Sequence, residues 1–117
     1  MRMNQVVFDD ARPVDGYGPG FFRIGGEVHE GAVLVSPRGV VAWAGLDAVE
    51  PLLDLAPMID VLLVGTGAEI THLPSGLRTR LEAAGIGVEF SASPAACRTY
   101  NVLLAEGRRV GLALLPV

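Results

Sequence analysis

The sequence predicts an α/β domain. Three observations predict it. Short apolar runs alternate with helical periodicities from residue 46 onward. The run "VLLV" at 61–64 is unbroken and apolar, as a strand covered on both faces of a parallel sheet is. The first half is instead cut by Gly- and Pro-rich turn signals, as an antiparallel hairpin region is.

Residues 1–20 read largely as loop, because "DDARPVDGYGPG" is rich in Asp, Gly and Pro; residues 5–8 form a short strand before it. "FFRI", "VHEGAVLVS" and "VVAWAG" read as β structure, with Gly25 and Gly26 marking a turn or bulge. In "SPRG", Pro37 presets φ at the second turn position and Gly39 suits the fourth. Residues 32–35 and 40–43 therefore form a hairpin. Leu46, Val49, Leu52, Leu53 and Ala56 then fall at helical spacing. Pro51 belongs to the first turn of that helix and Pro57 ends it, since an interior proline removes a backbone bond.

Strand 61–64 follows. A second helix spans about 74–84, with Leu73, Leu77, Leu81 and Ala84 as its buried stripe and Gly85 as its stop. Residues 88–90 form the next strand. The third helix has the clearest signals: Ser93 as N-cap, Pro94 in the first turn and Gly107 at its close. Residues 110–115 form the last strand. This order describes one layered domain over 1–117.

Bulk properties bound the function. The chain has 117 residues, enough to bury roughly two-thirds of its unfolded surface in one domain. The net charge is −4 with basic residues scattered, which excludes a broad phosphate-binding face and so nucleic acid as a partner. No apolar run reaches the ~18 residues of a membrane span. The alternating second half argues against an outer-membrane barrel. "MRMNQVVFDDARPVDG" lacks the apolar core of a secretory signal, and Cys97, the single cysteine, suits a reducing compartment; together they point to the cytoplasm.

The segment "VLLVGTG" invites a phosphate. A dinucleotide fingerprint needs a third glycine where Ile70 stands, and a Walker loop needs Lys then Ser or Thr where Ala68 and Glu69 stand. The loop therefore matches neither familiar nucleotide fingerprint, and its structural reading is that the glycines serve a sharp turn and a close backbone approach. If 61–64 and 88–90 run parallel, the loop 65–67 and residues 91–93 share one rim. Open α/β sheets bind ligands there, and the start of a helix favours an anion. Gly65, Thr66, Gly67, Ser93, Cys97, Arg98, Tyr100 and Asn101 are the candidate residues for a ligand or partner.

Each also has a structural reading. Cys97 near a helix start is a nucleophile candidate, but a lone cysteine on a helix is more often a small buried hydrophobe. Tyr100 packs on the sheet, and Asn101 ties the helix to a neighbouring loop such as the glycine loop. Arg98 reaches the rim or stands solvated near Glu89 or Glu106. His29 and His72 begin no metal-ligand spacing and read as solvated loop residues; no metal or cofactor is expected. Ser36, Ser75, Ser91 and Ser93 lack a hydrolase context, so no catalytic residue is assigned.

"ACRTYNVLLAEGRRVGLALLPV" (96–117), "DVLLVGTG" and "LVSPRGVVAW" together resemble the Mth-domain family of small α/β proteins, which includes mitochondrial respiratory complex I assembly factor three and the adipogenesis-associated Mth-domain protein. The resemblance runs from about Phe21 onward. Its most specific part is Arg98, Thr99, Tyr100 and Asn101 followed by Glu106, Gly107 and Arg108. It implies a three-layer fold with a central mixed sheet and an added antiparallel hairpin. It also implies no established enzyme activity, and protein-protein work in assembling a membrane complex. Ala92 and Ser93 depart from the acidic residue and threonine of many relatives, so this chain does not offer that acid to a site that relies on it.

The expected function is thus a non-enzymatic interaction module. The alternative is a small-molecule or anion binder, or an unrecognised enzyme, using 65–67 and the start of the 93–106 helix. An interaction module predicts an exposed apolar patch around Phe21, Phe22 and Trp43, and exposed strand edges that favour a homodimer.

Overall fold

The computed structural model describes residues 11–117. The expected strand at 5–8 lies outside them. The elements in order are β1 (Val14–Gly18), β2 (Phe21–Ile24), β3 (Glu27–Glu30), β4 (Val33–Ser36), β5 (Gly39–Ala42), α1 (Glu50–Leu53), β6 (Val61–Thr66), α2 (Leu77–Ala83), β7 (Gly87–Ser91), α3 (Ser93–Ala105) and β8 (Val110–Leu115).

They make two sheets. One is antiparallel, in the order β1-β2-β3; the other has five strands in the order β5-β4-β8-β6-β7. In the five-stranded sheet β4 runs antiparallel to β5 and β8, while β8, β6 and β7 are parallel. The central sheet is therefore mixed, and 61–64 and 88–90 run parallel, which meets the condition for a shared rim. The crossovers β6–α2–β7 and β7–α3–β8 step in opposite directions along the sheet, and right-handed connections then place α2 and α3 on opposite faces.

Side-chain alternation confirms the layers. Leu62, Val64, Leu34 and Ala113 pack with Leu52, Leu55, Ile59, Leu77 and Leu81 on one face. Leu63, Val33, Val35, Leu112 and Leu114 pack with Ala96, Cys97 and Tyr100 of α3 and with Val14, Phe22 and Ile24 of the three-stranded sheet on the other. The period of two along each strand sends successive residues into separate cores.

Several expectations change. Residues 14–18 are strand, not loop: β1 pairs antiparallel with β2, with a register shift between Val14 and Gly16. Tertiary pairing here overrides local turn propensity. The Asp15 carboxylate accepts from the Gly26 N–H at 2.6 Å, fastening the β2–β3 turn to β1. Gly25 and Gly26 both have positive φ (57° and 85°), as a two-residue primed turn requires. The run "VHEGAVLVS" divides between two sheets, β3 in one and β4 in the other.

The hairpin at "SPRG" is as expected, closing at Ser36–Gly39 with Ser36 Oγ accepting from the Arg38 N–H at 3.1 Å. Helix α1 is only four residues long, confined by Pro51 in its first turn. Helix α2 starts later than expected, because the Leu77 N–H closes a turn on the Pro74 carbonyl. Leu77 and Leu81 are buried in α2, while Ala84 is exposed rather than part of the stripe. Phe22 and Trp43 are 0% and 6% exposed. They belong to the two cores, so the apolar patch expected around Phe21, Phe22 and Trp43 does not exist.

Candidate functional site

The parallel register sets Gly65 beside Ser91 on one side and Leu114 on the other. The glycine loop and the start of α3 do share a rim. What fills that rim is Ser93. A Cβ placed on Gly65 would lie 2.6 Å from Ser93 Oγ, 2.7 Å from Ser93 Cα and 2.8 Å from Leu114 Cδ2. Glycine is therefore required at 65 for close approach.

Ser93 is not the N-cap. Ala92 holds that position in extended geometry, without a side-chain cap bond. The wholly buried Ser93 hydroxyl instead donates to the Leu115 carbonyl at 2.6 Å and accepts from the Gly67 N–H at 2.9 Å. The Ser93 N–H donates to the Gly67 carbonyl at 2.7 Å. Thr66 completes the corner: its hydroxyl donates to the Glu69 carbonyl at 2.8 Å and accepts from the Thr71 N–H at 3.2 Å. The Ser93 and Gly67 N–H groups that an anion would use are thus spent on the protein's own oxygens. Gly65, Thr66, Gly67 and Ser93 form one hydrogen-bonded joint between β6, α3 and the end of β8.

The other candidates descend the buried face of α3. Cys97 lies in the core, and burial pushes its thiol from 9.0 up to about 11, against a smaller opposing pull from Arg98. A neutral thiol is a poor nucleophile, so the buried reading fits its surroundings. Arg98 itself is exposed and makes no ion pair among the described residues. Tyr100 is wholly buried and its hydroxyl donates to the Arg12 carbonyl at 2.8 Å.

Asn101 binds β1, not the glycine loop. Its Oδ1 accepts from the Val14 N–H and its Nδ2 donates to the Val14 carbonyl, both at 2.9 Å. The amide acts as one more strand partner for β1. Of the eight candidates, four meet at the rim; Cys97, Tyr100 and Asn101 pin α3 to the sheets, and Arg98 stands in solvent.

A second feature was not signalled by any motif. An open groove of about 260 Å³ runs between β5 and the three-stranded sheet, lined by Arg12, Ile24, Glu27, His29, Arg38, Gly39 and Val40. His29 lies on β3 rather than in a loop, half-buried, with Nε2 4.0 Å from Glu27 Oε1. His72 is exposed, as expected. The only sequence cue to this groove is Arg38 in the "SPRG" turn; its two walls come together through packing between sheets. Among the described residues no three His, Cys, Asp or Glu side chains cluster as a metal site. No helix among them is long and apolar enough to cross a membrane.

With this geometry in view, the likenesses to known proteins are specific. A family model described as a protein of unknown function (DUF498/DUF598) matches residues 14–115. An uncharacterized protein of Rhodobacter capsulatus is 53% identical across 100% of the chain and 94% of its own length. NADH dehydrogenase (ubiquinone) 1 alpha subcomplex assembly factor 3 of Rattus norvegicus is 34% identical over 96% of the chain, which spans 64% of the rat protein. Among solved structures, an outer membrane protein from Bartonella henselae superposes with a TM-score of 0.82 at 36% identity, covering 92% of this chain and 97% of that one. A Bordetella pertussis protein described as a Mth938-like domain superposes at 0.75 with 29% identity, covering 99% and 90%. The Mth-domain resemblance and the α/β fold it implies are both correct.

Proposed function

The chain belongs to the DUF498/DUF598 family and has its Mth938-like fold, and on that premise we infer that it is a non-enzymatic, assembly-factor-like domain that works by binding another protein. The observation that carries this reading is the likeness to assembly factor 3 along nearly the whole chain. The filled rim supports it, because the corner where open α/β sheets hold ligands is occupied here by Ser93. The raised Cys97 thiol supports it too, since burial holds the cysteine in its inert form.

The partner is a subunit of a respiratory NADH dehydrogenase or part of the machinery that assembles it, met in the cytoplasm. Nucleic acid is a poor match for a chain of net charge −4. The test is deletion of the gene in its native cell, followed by native-gel analysis of membranes. Accumulated NADH dehydrogenase subassemblies, restored by the wild-type gene, are expected. Unchanged amounts of the mature complex, with no protein captured by the tagged chain at moderate salt, would overturn the reading.

A further inference from the structure

Strand β5 is the outer strand of the five-stranded sheet. Its pairing with β4 closes at Ser36–Gly39, and two-residue spacing continues the hydrogen-bonded pairs through Leu34–Val41 to Ala32–Trp43, where the Trp43 N–H donates to the Ala32 carbonyl at 3.0 Å. Gly39, Val41 and Trp43 thus turn their backbone groups inward. Val40 and Ala42 turn theirs outward, to the open edge. The edge lacks the usual protection: "GVVA" contains no Lys, no Pro and no bulge.

The groove opens at the turn end of this edge, where Gly39 and Val40 are the β5 residues that line it. Val40 and Gly39 form one wall; Ile24 of β2 and Glu27 and His29 of β3 form the other. At about 260 Å³ it is smaller than the ~300–1,000 Å³ of typical small-molecule pockets, and it is open. Its charges are not equally engaged. Glu27 and His29 face each other at 4.0 Å. Arg38 is exposed and has no carboxylate within ion-pair distance among the described residues.

We propose that this groove receives an extended, acidic segment of the partner protein, which adds as a sixth strand on β5 and sets a carboxylate against Arg38. The proposal rests on the interaction reading above and names its surface. The outward N–H and C=O of Val40 and Ala42 supply main-chain bonds to the added strand, and side chains on alternate positions reach the groove. Val40, partly exposed, takes an apolar side chain. The Arg38 guanidinium takes the acid, which it binds as a planar fork. A second copy of this chain is the poorer occupant, because β5 itself carries no carboxylate to offer.

The probe is a displayed library of random short linear peptides, panned on the intact protein. Enriched sequences are expected to carry Asp or Glu flanked by β-branched residues and to lack proline at their centre. Arg38→Glu is expected to weaken a selected peptide about ten-fold, the loss of one charge-assisted hydrogen bond. The same peptide with Lys in place of its acid should recover binding to Arg38→Glu. Val40→Pro removes an outward donor together with the valine side chain that lines the groove, leaves the β4–β5 bonds in place, and should abolish binding.

Fluorescence of the buried Trp43 reports folding in each variant; if Val40→Pro unfolds, the Arg38 charge exchange decides. No enrichment, enrichment of sequences without acids, or a dimer by sedimentation that Val40→Pro dissociates would overturn the proposal. A cellular partner captured equally by wild type, Arg38→Glu and Val40→Pro would keep the interaction reading and remove this surface.

Discussion

Ser93 and Gly67 exchange two hydrogen bonds: the Ser93 N–H donates to the Gly67 carbonyl at 2.7 Å, and the Gly67 N–H donates to Ser93 Oγ at 2.9 Å. The pair closes the corner at which the strand β6 would otherwise present its end to a ligand. The same hydroxyl reaches Leu115 at 2.6 Å, so one side chain joins three elements.

Ser93→Ala leaves the buried Gly67 N–H and the Leu115 carbonyl each without this partner. A loss of about 1–3 kcal/mol is expected in denaturant unfolding, with the midpoint shifted and the slope unchanged. Unchanged stability would show that water replaces the hydroxyl and that the joint is open.

Gly65→Ala forces a methyl against Ser93 Oγ, Ser93 Cα and Leu114 Cδ2, all within 2.8 Å. Overpacking of this kind costs about 1–3 kcal/mol. The double variant Gly65→Ala with Ser93→Ala is expected to lose less than the sum of the two, because removing Oγ frees the nearest of the three contacts. Additive losses in a mutant cycle would sink that account.

Asn101→Asp keeps an acceptor for the Val14 N–H but turns a carboxylate oxygen on the Val14 carbonyl. It is expected to destabilise by about 1–3 kcal/mol and to speed hydrogen exchange at Val14 ahead of the five-stranded sheet. Exchange that quickens equally in β6 and β8 would mean that β1 and the central sheet open as one unit.

The Cys97 thiol titrates near 9.0 when unfolded and is pushed up to about 11 by burial in the fold. The folded state therefore holds its proton where the unfolded state has lost it. Stability from this group is complete below pH 9 and falls as pH rises from about 9 to about 11. Comparing wild type with Cys97→Ala across that window isolates the slope. At pH 8 the folded thiolate fraction is about one in a thousand, so Ellman's reagent should react only after denaturant is added. Rapid reaction with the native chain would contradict the burial.

Much of the fold is legible in the residues because its signals are local. The 61–64 and 88–90 strands, the "SPRG" hairpin and the 93–106 helix each follow from periodicity or turn chemistry within a few positions. What is not legible depends on distant partners. The partners of the Ser93 hydroxyl are 26 and 22 residues away, and its position before Pro94 imitates an N-cap. Strand β1 is hidden because Asp, Gly and Pro dominate its surroundings, while its strand partners are β2 and an amide from residue 101. Phe22 and Trp43 look like a surface patch in a linear reading; folding of the small sheet over the large one puts Phe22 inside, and the Trp43 Nε1–H turns in to the Ala48 carbonyl at 3.1 Å.

The placement of β8 between β4 and β6 has a consequence for synthesis on the ribosome. A nascent chain that has released everything up to β7 holds two half-built sheets, and the strand that joins them is still inside the exit tunnel. Until β8 emerges, β4 and β6 each display an edge of unpaired backbone N–H and C=O groups that invites pairing with other chains. The interval in which β7 has emerged and β8 has not is therefore the chain's most aggregation-prone one.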